Sequence, residues 1–132
     1  HDASNGLLED DGALTYNPST GKLTAATFAG NLEGSISESV HNVTANYTLD
    51  KADGTVFTLN ASGGSFTVTL PAANAAGYSG VMLRLKKQGH ASNTVTISKG
   101  ASGLIDGGDA LILESPYAAV MVVSDGSNWH VL

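Results

Sequence analysis

The clearest stretch of the chain is Ser65 to Leu70, where Phe66, Val68 and Leu70 alternate with polar positions and the threonines between them face the other way. Strict alternation puts one set of side chains on each face of an extended strand, so this segment predicts a half-buried β-strand that ends at Pro71. The same period of two recurs at Thr55–Asn60, at Gly80–Lys87 with Val81, Leu83 and Leu85 on one face, and at Asn93–Ser98, and Ala110–Glu114 makes a further strand. Ala72–Gly77, rich in alanine, predicts either one helical turn or an ordered loop closed by Gly77. The final run, Tyr117 to Leu132, predicts a hairpin. Val120 and Val122 point one way and Met121 and Val123 the other, so its first strand is expected to be central and buried on both faces. Asp125-Gly126 supplies the turn, and Trp129, Val131 and Leu132 are expected to return along the same core.

The first forty residues follow a different pattern. His1 to Gly12 is acidic and polar with Leu7-Leu8 as its apolar pair, which predicts either a flexible lead-in or a strand that orders against a partner. Ala13–Tyr16 and Lys22–Ala25 flank Asn17-Pro18-Ser19-Thr20-Gly21, a strand, turn and strand. Leu14, Tyr16, Leu23, Phe28 and Leu32 are isolated apolar knobs that this segment cannot bury alone, and Ser35 to Asn46 reads as a linker passing into strand. The predicted fold is therefore all-β: an extended N-terminal arm, residues 1–40, followed by a compact antiparallel β-sandwich or jelly-roll-like domain, residues 41–132. Three copies running together would bury the knobs and remove exposed strand edges, so a homotrimer is expected.

Composition narrows the function classes. The 132 residues contain 16 glycines and no cysteine, which suits a turn-rich β-protein and rules out a disulfide framework or a thiolate metal site. The net charge of −6 is uneven: Asp2, Glu9, Asp10, Asp11, Glu33, Glu38, Asp50 and Asp53 face Lys22 and Lys51, whereas the remaining half is balanced. Such a chain lacks the basic footprint that phosphate neutralisation requires, so no nucleic-acid partner is expected. No apolar run has the length of a membrane-spanning helix and the first residues do not read as a signal peptide, so membrane insertion is not expected.

No catalytic constellation emerges, and neither a cofactor nor a metal is predicted. Asp106-Gly107-Gly108-Asp109 offers oxygen ligands to a hard cation but lacks the further ligands of a calcium loop, so a plain turn is the expectation. His1, His41, His90 and His130 have no metal-binding spacing. Gly77-Tyr78-Ser79-Gly80 is one residue short of a nucleophile elbow and precedes a strand rather than a helix. The candidate ligand-binding residues are Trp129, Tyr117 and Tyr78, aromatic rings that would form a platform for a sugar; the alternative for each is a place in the core or a subunit interface.

Two blocks of the sequence are familiar. LTYNPSTGKLTAATFAGNLEG, Leu14 to Gly34, resembles the short repeat of bacteriophage tail-fibre and other fibrous virion proteins. FTVTLPAA, the Asn93–Ser98 strand, LIDGGDALIL and SDGSNWHVL resemble the terminal β-domain of phage fibre and virion surface proteins. The resemblance implies a virion protein without catalytic residues, commonly trimeric, whose partners are other virion proteins and host-surface polysaccharide. It leaves open a tail fibre acting in host attachment, a capsid-decoration or head-fibre protein, and a carbohydrate-binding receptor-recognition module.

Overall fold

The structure, a computed structural model, describes residues 14–25, 30–31, 33–89 and 92–132. Leu7-Leu8, Phe28, Leu32, His1 and His90, which carry expectations above, lie outside the described residues. The chain divides into two units, His1–Ser35 and Ile36–Leu132.

In the first unit, β1 (Leu14–Asn17) and β2 (Lys22–Ala25) form the expected antiparallel hairpin, with Tyr16 opposite Leu23. The Asn17 side chain accepts hydrogen bonds from the Ser19 backbone N–H (3.0 Å) and hydroxyl (2.7 Å), and Gly21 takes φ 65° at the corner. Tyr16 and Leu23 remain 60% and 49% exposed, so among the described residues the hairpin is held by its backbone ladder and turn.

The second unit is built from β3 (Val40–Val43), β4 (Tyr47–Thr48), a 3₁₀ turn at Lys51–Asp53, β5 (Val56–Leu59), β6 (Phe66–Thr69), β7 (Met82–Lys87), β8 (Val95–Ser98), β9 (Ala110–Leu113), β10 (Ala119–Ser124) and β11 (Trp129–Val131). The all-β expectation holds, and among the described residues there is no α-helix; Ala72–Gly77 is a loop of turns. One sheet has five strands in the order β11-β10-β7-β5-β3 and the other four, β4-β6-β8-β9.

The expected antiparallel arrangement is corrected by the pairing. β3, β5 and β7 run parallel in the first sheet, while β4, β6 and β8 run parallel in the second. The chain from β3 to β8 therefore changes sheet at every connection, winding as a two-sheeted roll. Within the second unit, antiparallel strand pairs form where β9 folds back on β8 and where β10 lies between β7 and β11.

The inward positions of both sheets form one core. Phe57 and Leu59, Leu83 and Leu85, and Val122 come from the larger sheet, and Phe66 and Val68, Val95 and Ile97, and Leu113 from the smaller. Each fully buried side chain of this size stabilises the fold by about 1.5–3 kcal/mol. The strand faces for β5, β6 and β7 are those that the alternation predicts, with one addition: Lys87, at the inward end of β7, is fully buried and donates from Nζ to the Glu114 carbonyl at 2.6 Å.

Three further expectations are revised. Residues read as a linker contain β3, which pairs in parallel with β5, and Glu38 ion-pairs with Arg84 at 2.7 Å, so the second unit begins at Ile36 rather than at 41. β10 is fully buried on one face only: Val122 is inaccessible, whereas Met121 and Val123, on the outer face, are half-buried. Of the three apolar residues of the closing segment, only Trp129 enters the core. Val131 and Leu132, at the sheet margin, are 38% and 65% exposed.

Candidate functional site

The three aromatics singled out in the sequence do not share a surface. Trp129 is fully buried, donates from Nε1 to the Pro71 carbonyl (3.0 Å) and meets the edge of Tyr78 with ring centroids 6.4 Å apart. Tyr78 is 8% exposed, and its hydroxyl donates to Asp50 (3.0 Å) while accepting from the Lys51 N–H (3.2 Å). A ring with no accessible face cannot stack on a sugar, so the platform reading fails for Trp129, and its role is to close the core. Tyr117 lies elsewhere, 66% exposed on a turn with φ 59°, its carbonyl held by the Lys86 ammonium, which also lies 5.9 Å from its ring centroid.

The Tyr78 hydroxyl belongs to a network around the 3₁₀ turn. Asp50 caps the turn by accepting the Ala52 N–H at 2.9 Å. That bond, then the Tyr78 hydroxyl, hold its carboxyl below the usual range, while burial first of all raises the Tyr78 hydroxyl. Nearby, Tyr47 donates to Asp53 (2.7 Å) and stacks on His41, centroids 5.1 Å apart. These contacts join β3, β4 and the 71–81 connection, and present no unpaired nucleophile beside a base. Ser79, between Gly77 and Gly80, sits in a loop, without the strand-to-helix geometry of a hydrolase elbow.

At the other turns, carboxylates brace the chain. Asp106 and Gly107 both carry positive φ, 46° and 83°, as a tight two-residue turn requires. Asp106 accepts the Val131 N–H (3.2 Å), whereas Asp109 pairs with Lys99 (2.8 Å), so the two are directed to different partners. His130 stands between Asp125, 2.8 Å from Nε2, and Asp106, 3.7 Å from Nδ1. The His130 bond, then the Asn128 and Ser127 N–H groups, hold the Asp125 carboxyl down at about 2. Both imidazole nitrogens face carboxylates, and no three metal-binding side chains converge on one point among the described residues.

Two shallow concave surfaces lie along β4 and β6, beside the outward threonines of the Ser65–Leu70 strand. A depression of about 370 Å³ is lined by Thr44, Ala45, Asn46, Gly63, Gly64, Ser65 and Phe66, and an adjoining one of about 320 Å³ by Asn46, Tyr47, Thr48, Thr67 and Thr69. Asn46 is common to both. Its side-chain oxygen accepts the Thr67 N–H at 2.8 Å, continuing the β4–β6 pairing by one residue and leaving its amide N–H₂ to donate outward. Because the parallel register is exact across three strands, Thr48, Thr69 and Ser98 form one row, and Thr67 and Thr96 another. Rows of hydroxyls are thus fixed on a rigid sheet, with strands about 4.8 Å apart. Every residue lining the two depressions is uncharged. The signal available in the sequence was the run of outward threonines at Thr67, Thr69 and Thr96, but which of them become neighbours depended on the parallel pairing.

Neither known protein families nor characterised proteins yielded a match to this sequence.

Proposed function

We propose that the chain is a non-enzymatic structural protein of a bacteriophage virion, a homotrimeric tail-fibre module that takes part in host attachment and associates with other virion proteins. The observation that carries this reading is the N-terminal hairpin. An isolated two-stranded hairpin is marginal in water, and this one leaves Tyr16 and Leu23 on its surface, so neighbouring copies of the same segment are its natural partners. The likeness of Leu14–Gly34 and Ser124–Leu132 to fibre proteins points the same way.

The larger sheet of the second unit adds a supporting feature. One cross-strand row on its outer face reads Val40, Val56, Arg84, Met121, with Leu132 bonded beside Met121 (2.9 Å), and a hollow of about 290 Å³ lies along it. Apolar residues gathered on a partly exposed sheet face are a feature of proteins that work in assemblies. A carbohydrate-recognition module is the second reading, favoured by the neutral groove along β4 and β6.

Immuno-electron microscopy tests the proposal. Antibodies raised against the 132-residue chain are expected to decorate fibres on virions of a phage that encodes it. Labelling of the capsid surface alone would replace the tail-fibre assignment with the head-fibre or decoration alternative, and the absence of the chain from purified virions would overturn the reading.

A further inference from the structure

We infer that the groove along β4 and β6 is a binding site for an uncharged glycan, and that Asn46, Ser65, Thr67 and Thr69 supply its polar contacts. The inference deepens the attachment reading by naming a ligand class and a site, which differs from the aromatic surface expected from sequence.

A site for a phosphate, an acidic sugar or an acidic peptide needs a cation to balance the ligand, and a site for a basic peptide needs a carboxylate; the groove lining has neither. Its groups are hydroxyls, which both donate and accept, and the outward N–H₂ of Asn46. A neutral sugar presents the same amphoteric hydroxyls on a regular spacing, so each side can satisfy the other without burying an unpaired charge. The two depressions adjoin at Asn46 and lie open along the sheet, a shape that suits successive residues of an extended polymer rather than an enclosed small molecule. Rigidity contributes as well: Thr48, Thr67 and Thr69 sit on paired strands, and the Asn46 side chain is fixed through its oxygen, so little conformational entropy is lost on binding. Gly63 and Gly64 line the far end, and a side chain at Gly63 would meet no atom within 4 Å.

The test uses the full chain, ¹⁵N-labelled, titrated separately with a neutral glucose polymer, a neutral galactose or mannose polymer and polygalacturonate as the anionic probe. At least one neutral polymer is expected to shift amide resonances of residues 44–48 and 63–69, whereas polygalacturonate leaves them unmoved. Thr67→Val with Thr69→Val removes two hydroxyls while keeping shape and strand propensity, and should weaken binding at least about tenfold. Gly63→Trp, which adds bulk at the groove margin without removing any contact, should weaken it. Binding undiminished in both variants, shifts confined to the Tyr117 turn, equal response to polygalacturonate, or no response to any neutral polymer would each overturn the site. The mass of the same sample, measured in parallel, separates the two readings. A trimer that binds no neutral glycan refutes the groove and leaves the fibre module standing, whereas a monomer that binds does the reverse.

Discussion

Replacing Trp129 by alanine distinguishes a core residue from a ligand-stacking one. The indole is fully buried, its N–H satisfies the Pro71 carbonyl at 3.0 Å, and its ring packs edge-to-face with Tyr78 at 6.4 Å. Truncating a buried aromatic to alanine costs about 3–5 kcal/mol through lost transfer energy and the cavity left behind, and the orphaned carbonyl adds about 1 kcal/mol. A loss of about 4 kcal/mol multiplies the unfolded fraction by roughly a thousand, a large share of the 5–15 kcal/mol typical of a domain. Trp129→Phe keeps most of the volume and should lose distinctly less. Trp129 is the single tryptophan, so native fluorescence should be blue-shifted and move to the red on urea unfolding, while the variants are followed by far-ultraviolet circular dichroism. If Trp129→Ala unfolds within about 0.5 kcal/mol of the parent, the range of an ordinary surface substitution, the placement of this ring in the core is refuted.

Tyr117→Ala, by contrast, removes a ring that is 66% exposed and should leave the urea midpoint nearly unchanged. Val122→Asp places an unpaired carboxylate at an inaccessible position of β10 and should prevent cooperative folding, as read by circular dichroism and amide dispersion. The Asp125 carboxyl is held down to about 2, chiefly by His130, from an ordinary value of 3.8. A depressed carboxylate contributes stability above its unfolded pKa that is lost as pH falls through the folded one, so this contribution should disappear between about pH 4 and pH 2. In His130→Ala the Asp125 carboxyl, followed by NMR, should titrate closer to 3.8; an unchanged midpoint would show that the backbone N–H groups alone hold it. Finally, a chain of residues 36–132 should have a higher urea midpoint than one of residues 41–132, which loses Glu38 and the first residue of β3.

What could be read in the sequence was the facing of each strand, because a period of two reports which side is buried. Phe66, Val68 and Leu70, and Leu83 and Leu85, lie where alternation puts them. It does not report which strand is the neighbour or in what direction it runs. Parallel strands buried on both faces would have announced themselves as continuous apolar runs, but here the outer faces are open, so β6 and β8 look like members of an antiparallel sheet. β3, Val-His-Asn-Val, has a single buried residue, Val43, and gave little apolar signal against its polar surroundings. The run Val120–Val123 misled for the opposite reason: half-buried apolar residues on an outer face imitate a two-sided core strand. For the site, aromatic residues attracted attention, although a large ring in a small β-domain has the most to gain from burial. The polar groove was hidden because it is made by register, with Asn46 and Thr67 brought together across 21 positions of sequence.

We propose that three chains associate through the N-terminal unit, and the mass in solution tests this. Multi-angle light scattering on the full chain at micromolar concentration should give three times the mass of one chain, and residues 36–132 alone should run as a folded monomer or a weaker assembly. A folded, stable monomer of the full 132-residue chain at that concentration would contradict the account.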